Sequence, residues 1–177
     1  MVETWLIAAA TLFPILTLKF LLSSLMKGTL GMILKAAIGI GAAIGAAATA
    51  SFCPALGLIL VVIAIMYGEL FGALGVFLGP NIPWIGGAIG QAVAPISGFL
   101  WLILILNVVL FILHLLSIFD IIPVIGTIMF IASIVIPIVI VWLIWSNYVD
   151  AVGGIMNCFG GGGPVEVPGT GGIKIGT

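Results

Sequence analysis

Between residues 61 and 77 the chain reads VVIAIMYGELFGALGVF, and Glu69 is the one charged side chain in that stretch. A carboxylate in the middle of an apolar run costs roughly 2.5–3.5 kcal/mol on membrane-insertion scales, so ionisable groups there are functional candidates by default. Three chemistries fit it. It can carry a proton or a cation, it can sit protonated and hydrogen-bonded across a helix interface, or it can lie near a water-facing kink. Tyr67, Asn107 and His114 are the polar side chains that could serve it. His114 is the only histidine. With no Cys, His or carboxylate cluster at metal-ligand spacing beside it, it reads as a hydrogen-bonded packing residue rather than a metal ligand.

Nothing else in the chain resembles catalytic machinery. No Ser-His-Asp set, carboxylate pair or phosphate loop is present, and an enzyme needs polar groups converging on a pocket. The sequence therefore predicts a non-enzymatic protein with no cofactor and no metal. GIGAAIG at 39–45 has the wrong spacing and setting for a dinucleotide-binding loop. The two cysteines, Cys53 and Cys158, give neither a disulfide framework nor a zinc spacing.

The elements that position these groups follow from composition. The 177 residues are 64% hydrophobic and 5% charged, against about 25% charged in soluble domains. So few charges cannot wet a surface of this size, and lipid must be the solvent for most of the chain. A net charge of −1 with no arginine leaves no basic footprint for nucleic acid. The partners implied are the bilayer and either copies of the chain or other membrane subunits.

Five stretches approach or exceed the roughly 20 apolar residues that cross a bilayer: 4–26, 29–50, 55–79, 96–119 and 121–148. Helix is the only spanning form open to such segments, because a lone strand leaves its backbone unpaired in lipid. The fold class expected is therefore all-α, a polytopic helical membrane protein of about five transmembrane helices. Pro54 suits a helix start, and Pro14 and Pro137 are expected to kink the first and fifth helices. The break at 79–95, with Pro80, Pro83, Trp84 and Pro95, reads as a re-entrant or interfacial segment. Residues 1–148 form the membrane domain. Residues 149–177 form a Gly-rich tail in which VEV and IKI could pair as a small hairpin, setting Glu166 near Lys174.

Lysines in short loops mark the cytoplasmic side. Lys27 and Lys35 flank the first joint, and Lys19 is expected to snorkel toward it. That places the N-terminus, the 51–54 joint and Asp120 outside. It places the 79–95 segment and the tail in the cytoplasm, so Cys53 and Cys158 face opposite sides and cannot pair within one chain.

Small residues recur at four-residue spacing. Ala37, Gly41, Gly45 and Thr49 form one row, with Ala42, Ala46 and Ala50 beside it, and Ala64, Gly68 and Gly72 lie on the third helix. Such rows let helix backbones approach closely in lipid, and they are the expected packing faces. The glycine-rich pair of helices with one membrane carboxylate, over about residues 36–79, resembles in composition the rotor subunit of ATP synthases. That resemblance implies ion carriage by Glu69, although rotor subunits have two or four helices and no tail of this kind. The leading functional expectation is a structural or assembly subunit of a larger membrane complex, of a secretion or pilus machine, a respiratory complex or a virion membrane. The alternatives are a proton- or cation-conducting protein using Glu69, with His114 and Asn107 as further site residues, and a holin-like pore former.

Overall fold

The computed structural model describes residues 2–22, 25, 28–119, 123–155, 158, 165–166 and 174–175. Lys27, Asp120, most of the tail and the side chains of Glu166 and Lys174 lie outside the described residues, and so do the expectations placed on them. Six α-helices follow one another: α1 Val2–Leu22, α2 Gly28–Ala50, α3 Pro54–Leu78, α4 Gly86–Val93, α5 Leu100–Phe119 and α6 Ile125–Val152. Short 3-10 turns flank α4, at Gly79–Asn81 and Ala94–Phe99. In the tail, Val165–Glu166 pairs antiparallel with Lys174–Ile175.

The protein is all-helical, with five helices long and apolar enough to cross a membrane: α1, α2, α3, α5 (continuous with α4 in hydropathy) and α6. Their outer faces are apolar too. Leu6, Ile44, Phe130 and Trp142 are among the exposed large hydrophobics, as expected where the surrounding solvent is lipid. Pro54 occupies the first turn of α3 after an extended Cys53. Pro14 and Pro137 lie inside α1 and α6, yet neither divides its helix.

The break falls instead at Glu69, whose φ of 49° and ψ of −122° are not helical. There α3 folds back on itself. A Cβ added to Gly72 would overlap the carbonyl of Ala64, two residues that a straight helix would hold about 12 Å apart. Contacts with α2 trace the reversal. Gly57 meets Ala50, Gly45 meets Leu60, and Gly39 meets Gly68, so the arm at 54–68 runs antiparallel to α2. Gly39 also meets Gly72, and Gly75 meets Ala43, so the arm at 70–78 runs back parallel to α2. The arms are about 22 Å and 13 Å long at 1.5 Å per residue, short of the roughly 30 Å of hydrocarbon. Gly39, opposite the tip, lies about 16 Å from either end of α2 by the same rise. The hairpin therefore reaches the mid-depth of the bundle and returns.

Four helices are left to run the full length. Antiparallel packing of α1 on α6 is set by Trp5 edge-on to Trp145 at 5.0 Å, by a 2.7 Å hydrogen bond between the hydroxyls of Thr11 and Tyr148, and by Gly153 against Thr4. Phe71 on Phe111 and Phe77 on Trp101 lay the returning arm antiparallel to α5. A disulfide joins Cys53 to Cys158, with 5.8 Å between the Cα atoms.

Three expectations are corrected by this path. Cys53 and Cys158 do pair, because the fold-back of α3 changes the parity of crossings and brings the end of α6 to the Cys53 end. The start of α1 and the end of α6 consequently share one end of the bundle and do not lie on opposite sides. The third span, expected to cross in one pass, folds back instead, and the 79–95 segment is the stretch expected as re-entrant or interfacial. That segment caps the Cys53 end: Ala92 packs on Gly57 and Ile89 on Gly79, while Trp84 is 94% exposed.

The packing stripe on α2 also differs from the one expected. Ala37 and Gly41 are exposed, with nothing within 4 Å of a Cβ at Gly41. Gly45 and Thr49 are half-buried, and the Thr49 hydroxyl bonds back to its own helix at Gly45. The buried stripe is Gly31, Lys35, Gly39, Ala43, Ala46, Ala47 and Ala50. Two arms of α3 straddle α2 at Gly39, where an added Cβ would lie 2.6 Å from the Gly72 nitrogen and 3.1 Å from the Gly68 Cα. That double approach fixes which face turns inward. On the other side of the contact, Ala64, Gly68 and Gly72 are all buried.

Candidate functional site

The tip of the hairpin leaves backbone groups without helical partners. The first arm ends there, where a helix's last carbonyls lose their intrahelical partners and its dipole is negative. The second arm starts there, with free N–H groups and a positive end. Glu69 stands between the two. Its dihedrals lie close to those of the first central residue of a type II′ turn, a position glycine normally fills. A non-glycine residue held in such a region costs on the order of 1–3 kcal/mol and tends to mark a functional site. Gly68 is the adjacent residue, yet it is Glu69 that holds the positive φ.

Two lysines meet the Glu69 carboxylate. Lys35 of α2 places its Nζ 3.0 Å from Oε1, and Lys19 of α1 places its Nζ 3.4 Å from the same oxygen. Lys19 also donates to the carbonyl of Met66, one of the acceptors that the break removes from the helical ladder. Its ammonium thus answers the negative end of the first arm while pairing with the acid. Tyr67 donates to the carbonyl of Ile15 at 2.6 Å and ties the tip to α1. Glu69 and Lys35 are each 6% exposed. A carboxylate between two ammonium groups leaves one positive charge uncompensated, and burial of an unbalanced charge is expensive.

His114, on α5, comes within electrostatic range of Lys35 and Glu69 and also meets the backbone of Gly28. It is buried, and its Nε2 has no hydrogen-bond partner among the described residues. It therefore stands between the Gly28 end of the bundle and the mid-depth cluster. Asn107 is buried as well, but its amide donates to Ile103 of its own helix at 2.8 Å. The structure thus brings His114 toward Glu69 and shows Asn107 bonded within α5.

No known protein family, curated protein or solved structure matches the chain. The compositional resemblance to the rotor subunit of ATP synthases accordingly has no family match behind it, and the site is read from its own chemistry. Among the described residues no group of three or more His, Cys, Asp or Glu side chains could hold a metal.

Both lysines were missed as partners of Glu69 at the level of sequence. Lys19 reads as a snorkelling end residue and Lys35 as part of a loop flank. A signal for Lys35 does exist. It falls at four-residue spacing between Gly31 and Gly39, and residues so spaced share one helix face. A lysine on a stripe of small residues faces a neighbouring helix, not lipid headgroups.

Proposed function

We propose that this chain is a membrane transport protein that moves protons through the cluster centred on Glu69. The observation that supports this is the placing of a buried carboxylate on a strained, non-helical residue at mid-depth. Broken helices in transporters carry their ion sites in this way, because irregular backbone at membrane depth is tolerated only inside protein or along a cavity. A proton fits the surroundings better than a metal cation, which would have to displace two ammonium groups. His114 supplies the step between the Gly28 end and Glu69. Chemistry on a bound substrate is no part of this reading.

In liposomes with an imposed acid gradient, wild-type protein is expected to collapse the gradient. Glu69→Gln, which keeps the shape and removes the exchangeable proton, is expected to slow it at least tenfold. Equal rates for the two would sink the reading.

One cue supports an orientation. A disulfide persists on the oxidising side of a membrane, which favours the Cys53 end, with both the start of α1 and the base of the tail, outside and the Gly28 end inside. Reduction by a membrane-impermeant phosphine, followed by an impermeant maleimide, is expected to label both cysteines from outside in intact cells. Labelling only after lysis reverses the assignment.

A second reading, a subunit that assembles through α2, draws on the exposed Ala37 and Gly41, a small-residue face unoccupied within the chain. Gly41→Leu is then expected to lower the native mass in mild detergent without loss of helicity. An unchanged mass removes that reading.

A further inference from the structure

We propose that the cluster is also an anion site, in which a small monovalent anion replaces the Glu69 carboxylate when that carboxylate takes up a proton. The inference rests on the reading of proton carriage above and names what travels with the proton.

Charge is the starting point. Lys19, Lys35 and ionised Glu69 sum to +1. Protonation of Glu69 alone raises the buried sum to +2, with two ammonium groups left facing a neutral acid. Entry of one monovalent anion restores +1. Proton and anion together leave the cluster's charge as it was, so the uptake crosses no added electrostatic barrier. A proton alone adds a buried charge, while an anion alone has to displace the ionised carboxylate from the same two ammonium groups.

Geometry points the same way. The recipient groups already hold a singly charged oxygen anion, at 3.0 Å from Lys35 and 3.4 Å from Lys19. The arm at 70–78 begins at this point, and a helix start offers N–H groups and a positive dipole end to an anion. Among the described residues, the titratable groups around Glu69 are Lys19 from α1, Lys35 from α2, His114 from α5 and Tyr67 from its own arm. The Tyr67 hydroxyl is committed to Ile15. The α4 sequence, GGAIGQAV, has no titratable side chain. Tyr148 of α6 is bonded to Thr11. No other carboxylate is described in the cluster to compete with an incoming anion. The site is closed, with Glu69 and Lys35 each 6% exposed. An occupant of about the size of a carboxylate is therefore favoured, such as chloride or nitrate.

The test uses the full chain in liposomes loaded with a pH-sensitive dye and a chloride-sensitive dye. An outward chloride gradient is absent, and the external medium is acidified in chloride or in gluconate. Proton uptake in chloride is expected to exceed that in gluconate at least tenfold, with chloride entering one for one. Its rate is expected to be unchanged by a potassium diffusion potential of either sign. Glu69→Gln, which resembles the protonated state, is expected to exchange chloride without an acid requirement. Lys35→Met is expected to lose chloride movement. Equal proton uptake in chloride, nitrate and gluconate overturns the anion site while leaving proton carriage in place. No proton uptake in any medium overturns both. The wild-type comparison of anions needs no variant to fold.

Discussion

Glu69→Ala is expected to destabilise the protein by about 3–5 kcal/mol, the range for removing one partner of a buried ion pair. Two ammonium groups would be left at mid-depth with no counter-charge, and Lys19 would keep only the Met66 carbonyl. The triple variant Lys19→Met, Lys35→Met, Glu69→Gly is expected to recover most of that loss. Replacing a buried charge set by apolar groups of similar volume is often neutral or stabilising, and glycine relieves the positive φ at residue 69. Thermal midpoints in detergent, followed by loss of the monodisperse peak, measure both. The pair separates two roles that a single mutant confuses. A triple variant that is stable but carries no protons assigns the charges to transport. A triple variant that carries protons as wild type does removes Glu69 from the mechanism. If Glu69→Ala is as stable as wild type, the cluster does not hold the hairpin tip.

Gly39→Leu is expected to prevent folding altogether. Its Cβ position is met by backbone from both arms of α3 at once, 2.6 Å from the Gly72 nitrogen and 3.1 Å from the Gly68 Cα. Backbone cannot rotate away as a side chain can. Overpacking by a methylene or two costs about 1–3 kcal/mol even where side chains give way, and leucine adds four carbons against two rigid walls. Gly41→Leu, two residues on, enters open space and is expected to change the monomer's stability by no more than about 0.5 kcal/mol, as for other surface changes. Yield of folded protein from the two variants, made side by side, checks the assignment of faces on α2. Similar yields would mean that the double approach at Gly39 is not where α3 packs.

The long helices are legible because length and hydropathy are local quantities. Runs of twenty apolar residues announce themselves, and Pro54 marks its own helix start. The fold-back of α3 is not legible in that way. Around Glu69 the sequence stays apolar and carries no proline, so the pattern predicts one continuous span. The reversal depends on tertiary partners: Lys19 for the freed Met66 carbonyl, Lys35 for the carboxylate, and Gly39 to admit two backbones. Each lies at least 30 residues away in sequence. Gly68 and Gly72 were visible as small residues on one face, but that spacing does not say that the partner includes the same helix after a turn. The error then spreads. Counting α3 as a full crossing reverses the side assigned to everything after it, which is why the cysteine pairing and the two chain ends came out opposed. On α2 the row Ala37, Gly41, Gly45 and Thr49 lies largely off the packed face, while Ala46 and Ala50 of the row beside it are buried, for a related reason. A helix of mostly small residues offers several equivalent stripes, and only the position of the lysine among them distinguishes the buried one.

The bond between Cys53 and Cys158 closes the chain into a ring that contains α3 through α6, with α1 and α2 outside it as a leading segment. Its second sulfur is added to the growing chain only after every helix has been made. Formation of the bond is therefore a record that α3 through α6 have all been made. Until residue 158 has emerged at the far end of α6, the re-entrant hairpin is held by packing and charge alone. A chain that stops short of residue 158, or is wrongly threaded, keeps Cys53 as an open thiol at that end, so a single chemical group separates the closed ring from the open chain.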